Sequence, residues 1–325
     1  MGKRRIRNLQ HLNAGEIVGL EPMDERRKQV EKEYGIKTVS NIEEGLQENP
    51  DAFIISTPPD KHGVFAKMAA ENGKNFFVEA SVVLEDDIII ANGLAKKKNI
   101  VAMPSCTFRF SGVVRKVRDI VKSGSIGKVV AVHYHMGQWL PDWHPFEDIR
   151  KFYVGKRETG AGREMVPFEL EWMQFIFGKV KKISCMKGKL SSLPVDIDDV
   201  YSMNVIFGDG AIGNILIDVV ARYPVRRMEI VAEKGSLIMD WDKKVVEVYD
   251  PESKSWKIHK EDEIHSQKGY WASDDMYIEE MRHFVNVISG KEKLMYTMDD
   301  DIDNLNLLLT AEKSNDEGKH EVVIV

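Results

Sequence analysis

The sequence predicts an α/β protein built in two parts. Over the first third, short apolar runs alternate with charged, helix-forming stretches, the pattern of a doubly wound parallel sheet covered on both faces. After about residue 125 the helices give way to closely spaced β-type runs, the pattern of a mixed or antiparallel sheet with helices on one side. Asp209-Gly210, set between two apolar runs, is a strong hairpin signal within that second part.

Residues 3–12 read as a helix with Ile6, Leu9 and Leu12 on one side. Residues 16–20 are a short buried strand ending at Glu21, and residues 24–34 a charged helix. A second strand, 51–56, is stopped by Pro58 and Pro59. A helix over 63–72 closes at Gly73, a C-cap position. Strand 75–79, helix 86–98 and strand 100–103 complete the alternation. Residues 128–137 alternate and run into an aromatic loop, 139–146, followed by a helix near 164–177. Strands are expected at 180–187, 200–207, 211–220, 226–232, 236–241 and 244–249, helices at 277–289 and 303–314, and a closing strand at 321–325. The domain boundary is placed between residues 122 and 123, giving domains 1–122 and 123–325.

Composition narrows the class. A chain of 325 residues is long enough for two cores. Its net charge of −6 argues against a nucleic-acid binder. No apolar run reaches the ~18 residues of a membrane span, and the charged start does not read as a signal peptide. The cysteines, Cys106 and Cys185, fit no zinc or redox pair and are expected to be reduced and buried in a cytoplasmic protein. His133 and His135 share one face of a strand, but no third ligand at helpful spacing accompanies them, so no metal is assigned.

The start of the chain carries half of a nucleotide-binding pattern. Such a unit opens with a strand, then G-x-G-x-x-G, then a helix whose first amides hold a pyrophosphate. Here Met1-Gly2 stand directly before the helix, with Gly2 in the place of the last glycine. Glu21 lies 19 residues later, matching the acidic residue that binds the ribose 2′-hydroxyl of NAD. The absent strand would be the central one, and its two neighbours would lose a partner without it. The expectation is that Met1 is an internal methionine of a longer natural chain. The plainer alternative is a charged helix, an ordinary strand and a solvated Glu21.

From residue 51 onward a series of motifs accumulates. Ile54-Ile55-Ser56-Thr57-Pro58-Pro59-Asp60, His62, Gly73 and Phe77-Val78-Glu79 come first. Arg109-Phe110, Gly124-Ser125-Ile126-Gly127, Asp199 and Phe207-Gly208-Asp209-Gly210-Ala211 follow. Glu229-Ile230-Val231, Lys234-Gly235-Ser236-Leu237 and His283-Phe284 with Gly290 close the series. Taken together and in this order, they resemble the Gfo/Idh/MocA oxidoreductases over nearly the whole chain. The resemblance implies an N-terminal Rossmann domain and a C-terminal α+β domain with a large open mixed sheet. It also implies NAD(P)-dependent oxidation or reduction of a sugar, inositol or similar polyol, and a homo-oligomer. Leu140-Pro141-Asp142-Trp143, with Asp148 and Arg150, looks like members found in surface-sugar biosynthesis.

Two departures stand out. Where the family carries E-K-P, with a lysine beside the nicotinamide, this sequence has Glu79-Ala80-Ser81, and alanine supplies neither charge nor proton. Where the family often carries a histidine acid/base after a glycine run, Gly160-Ala161-Gly162 leads into Arg163-Glu164-Met165-Val166-Pro167-Phe168-Glu169, and no alignment recovers a histidine. A carboxylate partly buried among aromatics has a raised pKa and can serve instead. The candidate catalytic groups are therefore Glu164, Glu169 and His144. Cofactor contacts are expected from Gly2, Glu21, Thr57, Pro58, His62 and Glu79, and substrate contacts from Arg109, Trp143 and Arg163. Glu21 favours NAD, while Arg26 and Arg27 leave NADP open. The reading is hydride transfer between the nicotinamide and a hydroxyl-bearing carbon of a sugar or nucleotide-sugar. The alternatives are an NAD-binding protein without redox turnover, or a redox-neutral sugar-modifying enzyme that uses bound NAD transiently.

Overall fold

The computed structural model describes residues 1–143, 145, 147–262, 264–265 and 272–323. The chain forms two compact units, both discontinuous. The first comprises Met1–Ala80, Glu85–Thr107 and Glu263–Asp299, the second Ser81–Leu84, Phe108–Asp262 and Asp300–Val325.

In the first unit, helices and strands alternate as α1 (Gly2–His11), β1 (Val18–Leu20), α2 (Asp24–Tyr34), β2 (Lys37–Val39), α3 (Ile42–Gln47), β3 (Ala52–Ile55), α4 (His62–Glu71), β4 (Asn75–Val78), α5 (Asp86–Lys98) and β5 (Ala102–Pro104). Every strand pair here is parallel. The strands fall into two sheets, β1-β2 and β3-β4-β5. Elements β2 and α3 lie outside the sequence expectation; three residues of strand and six of helix are too short to show a period. Their local signal is an N-cap: Asn41 Oδ1 accepts the Glu44 N–H at 2.9 Å, and the Glu44 carboxylate reaches back to accept the Ser40 N–H at 2.8 Å.

The second unit follows with α6 (Gly112–Ser123), β6 (Val129–Gly137), α7 (Ala161–Phe177), β7 (Val180–Gly188), β8 (Val200–Phe207), β9 (Ile212–Asp218), β10 (Val225–Ala232), β11 (Gly235–Asp240), β12 (Val245–Asp250) and β13 (Ser255–Lys260). After these come α8 (Asp275–Ile288), α9 (Met298–Glu317) and β14 (Glu321–Val322). One nine-stranded sheet runs in the order β13-β12-β11-β10-β6-β9-β8-β7-β14, mixed because β6 and β9 are parallel. Asp209-Gly210 makes the β8–β9 turn as expected: Gly210 sits at φ +92°, and Asp209 Oδ1 accepts the Ala211 N–H at 3.1 Å.

Strand alternation decides what the sheet buries. Tyr201, Met203, Val205 and Phe207 of β8 and Ile215 and Ile217 of β9 are buried, as are Trp172, Met173, Ile176 and Phe177 of α7. Phe177 meets Phe207 ring to ring at 5.1 Å, which places α7 on this face. Each such side chain contributes about 1.5–3 kcal/mol on burial. The opposite face leaves Ile212, Leu216, Val231, Trp256 and Ile258 exposed.

The units do not follow the boundary at residues 122 and 123. Helix α6 belongs to the second unit, and α8 returns to the first. The return is chemically anchored, because Glu280 of α8 accepts from Ser105 Oγ (3.0 Å), the Cys106 N–H (2.6 Å) and Thr107 Oγ1 (2.8 Å). Residues so far apart in the chain leave no mark of this pairing in local composition.

Candidate active site

In the first unit, α1 starts with no side-chain cap. The Arg4 and Arg5 N–H groups reach Met1 O at 2.8 and 3.2 Å, and the N–H groups of Gly2 and Lys3 have no acceptor within the helix. The helix therefore presents partial positive charge at its head. A Cβ on Gly2 would lie 4.0 Å from Ser56 Cβ, so that head stands beside the turn leaving β3. On the same turn Thr57 Oγ1 is buried without a hydrogen-bond partner. His62 is buried and its Nε2–H donates to Thr57 O at 3.0 Å; burial lowers its pKa and keeps the ring neutral. Pro58 precedes the short 3₁₀ turn Pro59–Lys61 and directs the chain into α4. Glu21, one residue past β1, accepts the Met23 N–H at 2.9 Å and keeps part of its carboxylate in solvent.

Glu79, expected to touch a cofactor, is instead locked in place. Arg5 donates through Nε (2.7 Å) and Nη2 (2.9 Å) to its two oxygens. Arg5 also lies 2.7 Å from Glu280, so one buried guanidinium serves two buried carboxylates. Burial alone would raise the Glu79 pKa, but the charge and bonds of Arg5 carry it below the usual carboxylate value. Its role is to hold α1, β4 and α8 together.

In the second unit, Gly160 and Gly162 bring the start of α7 against residues 197–199. A Cβ on Gly162 would lie 2.3 Å from Asp198 O, and one on Gly160 2.7 Å from Ile197 Cγ2. Gly162→Ala should therefore cost about 1–3 kcal/mol through overpacking despite the better helix propensity of alanine, read as a fall in the urea midpoint with the m-value unchanged. Asp199 fastens the neighbouring loop by accepting from the N–H groups of Leu190 (2.7 Å) and Ser191 (3.1 Å). That loop supplies Leu193, Val195 and Ile197 to a cluster with Leu140, Val154 and Ala161, against which Trp139, Trp143, Phe152 and Tyr153 pack.

Glu164 sits in the first turn of α7 beside this cluster. Tyr153 Oη donates to its Oε1 at 3.3 Å, while Oε2 is shielded from solvent and has no partner. Burial pushes its pKa up to about 8, with the Tyr153 bond opposing the shift. The carboxyl therefore holds its proton at neutral pH and can give or take it close to physiological pH. Trp143 Nε1 is likewise buried without a partner. His144 lies outside the described residues.

The other expected groups are committed elsewhere. Glu169 is 0% exposed and accepts from Tyr134 (2.5 Å), Trp172 Nε1 (2.9 Å) and Arg226 (2.6 and 3.0 Å). Neither of its oxygens is left to move a proton, so it is a core residue and not a catalyst. Arg163 is clamped onto Glu312 (2.7 and 3.1 Å) and the carbonyls of Val82 (2.7 Å) and Glu158 (2.8 Å), which spends its fork on structure. Arg109 pairs with buried Glu171 and stacks 4.8 Å above Phe175. Sequence reasoning passes over Tyr153, whose only signal there is the Phe152-Tyr153 pair close after the aromatic loop.

Residues 1–103 match the oxidoreductase family with the NAD-binding Rossmann fold, and residues 114–238 match the Gfo/Idh/MocA C-terminal domain. The chain belongs to the Gfo/Idh/MocA family. Its parallel α/β unit and its unit with a large mixed sheet are the two domains of that family. Among Gfo/Idh/MocA relatives, scyllo-inositol 2-dehydrogenase (NAD⁺) of Bacillus subtilis is 32% identical over 34% of this chain and 33% of its own. A 2,7-anhydro-N-acetylneuraminate hydratase of Escherichia coli is 22% identical over 58% of this chain and 51% of its own. The chain spans 33% to 62% of the length of such curated relatives. A levoglucosan dehydrogenase solved with NADH superposes with a TM-score of 0.85 at 16% identity, covering 100% of this chain and 96% of that one, which establishes the shared fold.

Proposed function

We propose that this chain is an NAD-dependent oxidoreductase acting on a sugar or nucleotide-sugar. The observation that carries the reading is Glu164, a carboxyl with one oxygen unpartnered and a pKa of about 8, in a chain of this family. The first unit fits the cofactor. The uncapped head of α1 suits a pyrophosphate, Thr57 Oγ1 is a buried hydroxyl in want of a partner, and Glu21 ends β1 with a carboxylate suited to a ribose diol. A carboxylate at that place repels a 2′-phosphate and so selects NAD over NADP. When bound, NAD accepts or returns a hydride at the nicotinamide C4. Glu164 Oε2 takes the substrate hydroxyl proton in oxidation and returns it in reduction, with Tyr153 fixing the carboxyl through Oε1. Trp143 packs on the apolar cluster beside which Glu164 sits and is the aromatic ring assigned to the sugar. The exposed sheet face bearing Ile212, Leu216 and Val231 suits a second copy of the chain, giving a homo-oligomer.

Calorimetric titration of NAD⁺ and NADH into the 325-residue chain tests the cofactor half. Binding should appear, and Glu21→Ala should weaken NAD⁺ by about tenfold, the loss of a charged hydrogen bond. For the chemical half, Glu164→Gln should cut turnover by about 10²-fold, and unchanged turnover would remove the assignment. The hydratase relative favours one second reading, a redox-neutral reaction with bound NAD. Near-ultraviolet absorbance separates the two: lasting NADH formation marks a dehydrogenase, a transient rise marks the redox-neutral route.

A further inference from the structure

Resting on the reading of Glu164 as the group that carries the substrate proton, we propose that Thr159 is a positioning residue of this site: its hydroxyl holds the Tyr153 main chain so that the phenol binds Glu164 Oε1 and leaves Oε2 as the oxygen that exchanges the proton.

Three hydrogen bonds close a ring. Thr159 Oγ1 donates to Tyr153 O at 2.7 Å. Tyr153 Oη donates to Glu164 Oε1 at 3.3 Å. The Glu164 N–H donates to Gly160 O at 2.9 Å, and Gly160 follows Thr159 in the chain. Thr159 is 2% exposed, which keeps its hydroxyl from bulk water. Helix α7 begins behind Gly160 without a side-chain cap, so that hydroxyl serves Tyr153 and not the helix. The Lys156 N–H also donates to Tyr153 O at 3.1 Å, and a Cβ on Gly160 would lie 2.7 Å from Lys156 O, so residues 153–160 are drawn tightly together. The residue types suit proton transfer. A cation would pin the carboxylate, as Arg226 does to Glu169. A phenol donates to Oε1 whether or not Oε2 carries a proton, and its bond strengthens as charge develops. Burial, and after it the nearby Glu164 and Glu147, holds the Tyr153 pKa well above the ordinary phenol value, so the phenol remains a donor. At 3.3 Å the bond is long and has room to tighten as Glu164 ionises. A bond at this limit depends on where Tyr153 is anchored, and Thr159 supplies the side-chain anchor. The phenol opposes the effect of burial on Glu164, so loosening the ring lets the carboxyl hold its proton to higher pH.

The test is a pH titration of the full chain labelled with ¹³C at its glutamate carboxyls, followed by NMR, with the Glu164 signal assigned by its loss in Glu164→Gln. The native midpoint should lie near 8. Tyr153→Phe, which removes only the hydroxyl, should move it upward. Thr159→Val should move it in the same direction by a smaller amount, and Thr159→Ser, which keeps the hydroxyl, should restore it. If Thr159→Val does not fold, Thr159→Ala carries the same expectation. In NAD⁺-linked sugar oxidation at pH 7, Tyr153→Phe should fall by about tenfold and Thr159→Val by about threefold, and both should recover as the pH is raised to 9.5. A Thr159 that merely packs would lower the melting temperature and leave the Glu164 midpoint where it is. The proposal is overturned if Thr159→Val titrates like the native chain, or if Thr159→Ser shifts the midpoint as far as Thr159→Val does. Turnover is read separately. A chain that oxidises a sugar with NAD⁺ while Thr159→Val leaves the midpoint in place would sink this proposal and keep the oxidoreductase reading. A midpoint that moves as described in a chain that reduces no NAD⁺ would do the reverse.

Discussion

Arg5→Met is expected to destabilise the protein by about 3–5 kcal/mol, the usual cost of removing one partner from a buried ion pair. The change strips the counter-charge from both Glu79 and Glu280 at once, and both are buried. The pH dependence gives a sharper readout than the midpoint. In the native protein the Glu79 pKa is depressed, so its contribution is present above the unfolded value near 4.5 and is lost as pH falls through the folded pKa. In Arg5→Met the largest influence opposing burial is gone, with the N-terminal amine and His62 still acting against it; the Glu79 pKa rises, and stability should increase as pH is lowered from 7 to 5. Urea melts at these two pH values check the reversal. A second change, Glu79→Gln, should recover part of the loss at pH 7 and remove the inverted dependence. A variant that melts like the native protein at both pH values would show that the triad carries no net stability.

The second large effect concerns Glu164. Its folded pKa of about 8 lies above its ordinary value of 4.5, the opposite of Glu79. A carboxyl shifted in this direction favours the folded state most below pH 4.5, and that advantage is lost as pH rises toward 8. Each tenfold change in proton affinity is worth roughly 1.4 kcal/mol, so the swing is on the order of 3–5 kcal/mol. Glu164→Gln should therefore unfold at a higher temperature than the native protein at pH 8, while the two converge near pH 4.5. The same substitution lowers turnover under the proposed function. Gain of stability with loss of activity in one variant is what a strained functional group produces, whereas a glutamate with no part in turnover would gain the stability and keep the activity.

Much of the fold is legible in the sequence because its signals are local. Asp209-Gly210 needs only its own turn, and Gly73 and Gly124 close helices whose apolar positions recur within a few residues. The nine-stranded sheet is largely visible in its alternation, although β13 gives no comparable sign. What stays hidden depends on partners distant in the chain. Glu164 and Glu169 look alike in sequence, five positions apart in one helix. The difference between them is Arg226, 57 residues from Glu169, which neutralises that carboxylate and leaves Glu164 with none. Glu79 misleads for the same reason, since Arg5 lies 74 residues before it. The basic run at the start reads as a helix face, yet Arg4 and Arg5 are buried because Asp274 and Glu280 of a distant segment receive them.

The return of α8 to the first unit sets a timetable for biosynthesis. Arg5, Ser105, Cys106 and Thr107 all emerge from the ribosome long before Glu280 exists to receive them. Until that residue is made, Arg5 has Glu79 alone to pair with, and the Ser105 and Thr107 hydroxyls and the Cys106 N–H lack the carboxylate that joins them in the folded unit. The intervening second unit, Phe108–Asp262 for the most part, is translated in between and carries local strand pairings of its own. Neither unit is complete when its first segment has been made: the first waits for α8 and the second for Asp300–Val325, so the usual N-terminal-first order of domain folding does not apply to the first unit.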